Sequence, residues 1–238
     1  MIDIIVPVFN EGANILKLFA KVGQAIKSSK RVTVIYDYDE DNTVPVAREH
    51  MGEYGYEIRL QRNLIARGAL NAIKTGFQVS TEDKVLVIMA DLSDSLEIAD
   101  KMAELLDNGY DLVCGSRYMS GGKQHGGPLL KGLFSRCAGV SLHILTRIPT
   151  RDVTNSFKMY SRRVLERFTV ESTGGFELGI ELTVKAYVHG MRVTEIPSQW
   201  YDRAEGESNF KMWKWLPKYL RWYFYCIGKT WFGRNKKA

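Results

Sequence analysis

Through its first 115 residues the chain alternates short apolar runs with stretches of helical periodicity, and this alternation limits the folds open to it. Apolar runs at 2–8, 31–37, 56–60, 84–90 and 110–115 read as strands, and amphipathic helices are predicted over 11–28, 43–52, 67–79 and 95–108. Strands separated by helices of 10 to 15 residues imply βαβ units, hence an α/β fold with a mostly parallel central sheet and helices on both faces. Ligands of such sheets bind at the carboxyl ends of the strands, so the residues just after each strand are the first candidates for chemistry. The second half is less regular. A Gly-rich loop at 120–128 precedes a helix at 129–146, a strand at 156–160, a helix at 176–189, a strand at 192–197 and a polar loop at 201–209. One domain over 1–210 with a C-terminal segment over 211–238 is the expected organisation.

Composition excludes several classes. With 45% hydrophobic and 25% charged residues, the 238-residue chain is neither disordered nor fibrous. Three cysteines without a CxxC spacing and four scattered histidines suit neither a disulfide scaffold nor a zinc site. No apolar stretch approaches the ~20 residues of a spanning helix, and the apolar opening at 2–8 lacks a basic leader, so a cytoplasmic protein is expected. The net charge of +6 sits in the tail. After Glu207 there is no acid, whereas eight Lys and Arg follow it, so the body is slightly acidic. A nucleic-acid binder would carry its basic residues on the folded body, and no nucleic-acid partner is expected.

Acids and arginines gather at the predicted strand ends. These are Pro7-Val8-Phe9-Asn10-Glu11, then Asp37-Tyr38-Asp39-Glu40-Asp41, then Asp91-Leu92-Ser93-Asp94, and finally Gly115-Ser116-Arg117-Tyr118. Carboxylates so placed repel one another unless a cation or hydrogen-bond donors lie between them. Mg²⁺ favours one or two carboxylates plus phosphate oxygens. The plainer reading makes Ser93 or Asp94 the N-cap of the helix at 95, and Asp41 or Asn42 the N-cap of the helix at 43. No GxGxxG follows the first strand, and no P-loop, GxSxG elbow or HExxH helix occurs.

With these segments in view, the chain resembles a family 2 glycosyltransferase with the GT-A nucleotide-diphospho-sugar transferase fold. Within that family it resembles the dolichol-phosphate mannose synthase branch of polyprenyl-phosphate glycosyltransferases. Val6-Pro7-Val8-Phe9-Asn10-Glu11, Arg67-Gly68-Ala69-Leu70-Asn71-Ala72, Ala90-Asp91-Leu92-Ser93 and Gly115-Ser116-Arg117-Tyr118 with Gly121-Gly122 carry the likeness. Ser135-Arg136-Cys137-Ala138, the 152–157 segment and Arg203-Ala204-Glu205-Gly206-Glu207-Ser208 extend it in one register from about 2 to 209. The resemblance implies that Pro7, Phe9, Glu11 and Asp37 meet the base and ribose of a nucleotide-sugar donor. It implies that Asp91, with Ser93, holds Mg²⁺ or Mn²⁺ on the diphosphate. Arg117 and Arg136 would bind the phosphate of a polyprenyl phosphate acceptor, and Arg203 with Ser208 would close over the donor. The implied reaction inverts the sugar. An arginine fork suits phosphate oxygens, and a phosphate acceptor needs no strong base. A hydroxyl acceptor would need a carboxylate base, for which Asp152, Glu177 and Glu181 are the candidates.

Two departures stand against this pattern. Tyr36 occupies the first of two acidic places after the second strand, where it is expected to stack on the base. Met89 replaces the first acid of the Asp-Ala-Asp signature. A non-catalytic nucleotide- or lipid-binding module is the reading they favour, beside transfer to a saccharide hydroxyl. From Phe210 to Phe232 ten aromatics interleave with cations. This pattern fits an amphipathic segment in a membrane interface, making the protein peripheral at the cytoplasmic membrane face. The plainer alternative is a terminal helix packed on the domain.

Overall fold

The structure is a computed structural model that describes residues 1–202 and 212–233. The first half forms β1 (Ile2–Pro7), α1 (Gly12–Ala25), β2 (Lys30–Tyr36), α2 (Thr43–His50), β3 (Glu57–Arg62), α3 (Ala69–Val79), β4 (Lys84–Val87), α4 (Ala99–Asp107) and β5 (Leu112–Ser116). The second half adds β6 (Lys123–His125), α5 (Leu129–Thr146), β7 (Lys158–Ser161), α6 (Arg162–Arg167), α7 (Leu178–Val188), β8 (Val193–Pro197), β9 (Gln199–Tyr201) and α8 (Met212–Phe232).

Seven strands form one sheet in the order β3-β2-β1-β4-β7-β5-β8. All neighbours run parallel except β7, which is antiparallel to both β4 and β5. The carboxyl ends of six strands therefore share one edge, and the segment leading into β7 arrives at that same edge. Strand residues alternate between two cores, as the period-2 geometry of a strand requires. Ile4 and Val6 face α1, α2 and α4, while Ile5 points to the opposite core with Ile73 and Leu182. Tyr36 lies within the first core and is buried, so the expectation that it stacks on a nucleotide base does not hold. Met89 packs against the second core.

Most sequence-predicted elements recur within a few residues. The differences cluster near the strand edge: the run at 84–90 pairs only to Val87, and α4 starts at Ala99 after a 3-10 turn. The intervening chain turns sharply at Leu92, whose φ is 62°. Neither Ser93 nor Asp94 caps a helix. Helix α6 and the small parallel pair β6–β9 lie where loops were expected.

Helix α8 is packed, not detached. Its Trp222 and Cys226 are buried with Leu142, Ile148, Val153, Ile180 and Val184 of α5, α7 and the chain before β7. Among the described residues no helix is long and apolar enough to cross a membrane. Helix α5 lies directly on the Arg151–Asp152 backbone: a Cβ at Gly139 would sit 2.1 Å from the Arg151 carbonyl oxygen. Gly139→Ala should therefore destabilise by about 1–3 kcal/mol through overpacking, although alanine is the better helix former by about 1 kcal/mol. A melting temperature equal to or above the parent's would contradict this close approach.

Candidate active site at the strand edge

The turns after β1 and β2 are tied to each other. Fully buried Asp41 accepts the N–H of Asn10 at 3.0 Å and that of Thr43 at 2.9 Å. Thr43 Oγ1 accepts the Glu11 N–H at 2.8 Å, and Asn42 Oδ1 accepts the Gly12 N–H at 2.9 Å. Asn42 thus reaches across to satisfy the start of α1 rather than its own helix. These ties fix Asn10 in the left-handed region (φ 56°) and leave Phe9 standing out, 57% exposed. Phe9 meets Tyr38 edge to face with centroids 6.0 Å apart, and the Arg67 guanidinium lies 5.3 Å from the Tyr38 ring centre. Together they make an aromatic shelf beside the strand ends. Pro7 is buried as the last residue of β1, and the Glu11 carboxylate accepts from Asn14 Nδ2 at 2.8 Å. Asp37 accepts from Asn63 Nδ2 at 2.8 Å and from the Gly68 N–H at 2.7 Å, joining the ends of β2 and β3 to the start of α3.

The turn after β4 is braced from three sides. Lys21 of α1 donates to the carbonyls of Leu92 (3.3 Å) and Asp94 (2.7 Å). The Tyr201 N–H donates to the Ser93 carbonyl at 3.0 Å, and Ser95 Oγ both donates to and accepts from the Gln199 backbone. Within the turn, Asp91 Oδ1 accepts the Ser93 N–H at 3.1 Å. Asp94 is 4% exposed, and its Oδ2 has no hydrogen-bond partner among the described residues. Burial, then the neighbouring Asp91 charge, push the Asp94 carboxyl up to about 7, against the opposing pull of the Met89 N–H, Lys21 and Arg117.

A buried carboxylate oxygen without a donor, next to a second carboxylate and a buried hydroxyl, is an oxygen donor set suited to a hard divalent cation. Asp91 and Ser93, with Asp94 beside them, therefore fit Mg²⁺ or Mn²⁺. Among the described residues no three acidic, His or Cys side chains converge on one point.

Arg117, after β5, is committed to Asp152. Its Nε donates to Asp152 Oδ2 at 2.7 Å, its Nη2 to Oδ1 at 2.9 Å, and its backbone N–H again to Oδ2 at 3.0 Å. Nη2 also reaches Ser135 Oγ at 3.0 Å, and the guanidinium lies 4.8 Å from the Tyr118 ring centre. Burial would raise the Asp152 pKa, but Arg117 holds the carboxyl below the usual range. The same pair raises Arg117 despite its burial. Fully buried Lys158 closes the layer beneath, donating to the carbonyls of Val153 and Asn155. Its pKa is lowered chiefly by burial. Arg117 is thus a brace with a 12% exposed side chain, whereas Arg136 stands exposed on α5 directly after Ser135. Both arginines act on Tyr118, and Arg117 also acts on Asp94.

The other two candidate bases are also engaged. Glu177 accepts the N–H groups of Thr173, Gly174 and Gly175 at 3.2, 2.6 and 2.7 Å. Glu181 accepts those of Glu171 and Ser172 at 2.7 and 2.8 Å and the Lys185 ammonium at 2.6 Å. Both are buried. Arg203 and Ser208 lie outside the described residues. Sequence reasoning passed over Lys21, Tyr38 and Lys158. Tyr38 lies within the acidic run that was singled out, while a lysine inside an amphipathic helix or a strand carries no signal of its own.

The order β3-β2-β1-β4-β7-β5-β8, with a braced acidic turn after β4, can now be set beside known proteins. Residues 3–169 match the profile described as Glycosyl transferase family 2, well over half of the chain. The chain belongs to this family. Family 2 membership agrees with its relatives. A dolichol-phosphate mannosyltransferase of Pyrococcus furiosus is 30% identical over 223 residues, 92% of this chain and 62% of that protein. A polyprenol monophosphomannose synthase of Mycolicibacterium smegmatis is 28% identical over 210 residues, 86% of this chain and 79% of that one. The chain thus spans less than two thirds of the archaeal relative's length. Among solved structures, glucosyl-3-phosphoglycerate synthase of Mycobacterium tuberculosis in complex with UDP superposes with a TM-score of 0.68 at 14% identity, covering 96% of this chain and 80% of that one. The same enzyme with Mn²⁺, UDP and glucosyl-3-phosphoglycerate also gives 0.68. These likenesses establish the fold, which is GT-A.

Proposed function

We propose that this family 2 protein transfers a sugar from a nucleoside-diphosphate sugar to a polyprenyl phosphate with inversion at the anomeric carbon. The observation that carries the acceptor assignment is that Asp152, Glu177 and Glu181 are all buried and engaged. None of these three carboxylates is placed to take a proton from a hydroxyl, and an acceptor phosphate, already ionised, needs no base. The names of the archaeal and mycobacterial relatives support the same acceptor class.

In this reading Phe9 and Tyr38 receive the base, with Glu11 and Asp37 shaping the ribose side. Asp91 and Ser93, with Asp94 behind, would hold the divalent cation. When bound, that cation offsets the negative charge developing on the leaving group. Arg136 and Ser135 face the acceptor phosphate, and Arg117, its charge answered by Asp152, holds Ser135 in place. Arg203 and Ser208 take the closing role implied by the sequence resemblance. A phosphate oxygen of the acceptor forms the new bond to the anomeric carbon. The old bond to the diphosphate breaks on the opposite side, and its electron pair leaves with the nucleoside diphosphate.

Met89 and Tyr36, both packed into the cores, favour a second reading, a module that binds nucleotide without turnover. Thermal stability against GDP-, UDP-, CDP- and dTDP-linked compounds, with and without Mg²⁺ or Mn²⁺, tests the donor half. A nucleotide at ~100 times its dissociation constant should add ~2.7 kcal/mol of stability. One responding nucleotide that requires the cation is the expected result, and silence across the panel would remove the donor assignment. Phe9→Ala should weaken that nucleotide about tenfold or more by loss of stacking. Unchanged affinity would move the base elsewhere.

A further inference from the structure

The turn after β4 holds a carboxylate oxygen that the fold does not use. An acid just ahead of a helix reads as its N-cap, yet α4 begins only at Ala99, behind the 3-10 turn Leu96–Ile98, and takes no cap from Asp94. Asp94 is instead folded inward. It is 4% exposed, the Met89 N–H is directed at its carboxylate, and Oδ2 has no hydrogen-bond partner among the described residues.

The surrounding chain holds this arrangement in place. Leu92 adopts the left-handed backbone (φ 62°), which L side chains rarely take, and the reversal brings residue 94 back to the backbone of residue 89. Lys21 grips the Leu92 and Asp94 carbonyls, and Trp200 pairs with Asp94 in an isolated antiparallel bridge. The Tyr201 N–H fixes the Ser93 carbonyl between them. A buried acceptor left unmade is costly, so a partner for Oδ2 is required from outside this set.

The neighbouring Asp91 charge decides which partner fits. Asp91 acts on Asp94 directly, and two carboxylates sharing a site repel. A water would satisfy Oδ2 and leave that repulsion standing. A divalent cation held by both acids answers the lone pair and the repulsion together. Met89, where the sequence resemblance expects an acid, offers only a thioether, a poor ligand for a hard cation.

We propose that Asp94 is a direct ligand of the divalent cation and supplies the carboxylate that Met89 lacks. This deepens the proposed function and rests on it for the presence of a cation at this turn. Two acids three residues apart would then reach one ion, a spacing that the Leu92 backbone makes possible.

The test is Mn²⁺ binding to the full chain, followed by electron paramagnetic resonance with the ion alone and with UDP or GDP. Residues that merely orient a ligand are worth about 10–100-fold in metal affinity, so Asp94→Asn should weaken Mn²⁺ by at least about tenfold. Without metal, the melting temperature of this variant should equal or exceed the parent's, because the repulsion between two acids is gone. Met89→Asp/Asp94→Asn should regain most of the lost affinity, which a purely structural Asp94 would not allow. The parent labelled with ¹³C at its aspartate carboxyls needs no substitution. Electron–nuclear double resonance should show two hyperfine-coupled carboxyl carbons on its bound Mn²⁺, and Asp94→Asn should leave one. Parental affinity in Asp94→Asn, or a single coupled carbon in the parent, would overturn the proposal. If Asp91→Asn alone abolished binding in that case, the proposed function would stand. A parent that holds no Mn²⁺ under any of these conditions would count against both.

Discussion

Asp91→Asn is expected to lower divalent-dependent sugar transfer by at least about a thousandfold, since a metal contributes several kcal/mol to stabilising a departing diphosphate. The asparagine keeps the shape of the side chain and an oxygen able to accept the Ser93 N–H, so circular dichroism and melting temperature should barely change. Affinity for Mn²⁺ in the presence of nucleotide, followed by electron paramagnetic resonance, should fall with the rate. Turnover equal to the parent's would remove Asp91 from the mechanism. A fall in rate with unaltered Mn²⁺ affinity would place its role elsewhere than on the cation.

Asp152→Asn should produce the largest loss of stability. It removes the charge that answers Arg117, and breaking one partner of a buried ion pair costs about 3–5 kcal/mol. At roughly 2–4 °C per kcal/mol for a chain of this size, the melting temperature should fall by about 6–20 °C. Replacing both partners, as Arg117→Met/Asp152→Leu, should recover much of that loss, because no charge is then left buried alone. The pH dependence has a definite sign. The folded-state pKa of Asp152 is depressed, so its contribution is present above the unfolded value of about 3.9 and is lost as pH falls through the folded one. The gap between parent and Asp152→Asn should therefore be widest near neutrality and close as pH falls below about 4. A constant gap across that range would mean that the pair is not what holds the segment before β7.

Much of the site was legible in the sequence because parallel strands end on one edge. Asp37, Asp91 and Arg117 could be placed together from the alternation of strands and helices alone, and the structure puts them on that edge. What each side chain touches was not legible. Asp41 and Asp37 look like further candidates for a cation, yet both are occupied by N–H donors that fix the turns, and only a three-dimensional arrangement supplies those donors. Arg117 looks like a phosphate ligand, but its partner Asp152 is 35 residues away and reaches it because β7 enters the sheet in the reverse direction, between β4 and β5. A single strand of opposite sense leaves no mark in a hydrophobic pattern. The tail shows the same limit: Trp222 and Cys226 belong to a core whose other wall is α5, and interleaved aromatics and cations do not mark which side chains turn inward.

Sugar transfer to a polyprenyl phosphate is the most direct test of the proposed function. The full chain would be incubated with Mg²⁺ or Mn²⁺, the nucleotide-sugar selected by thermal stabilisation, and either a polyprenyl phosphate or a saccharide acceptor. The product would be identified by mass spectrometry and its anomeric configuration by nuclear magnetic resonance. The proposed function predicts a lipid-phosphate glycoside of inverted configuration, formed only when the divalent cation is present. A sugar attached to the saccharide hydroxyl, or a product on phosphate that retains the donor's configuration, would contradict it.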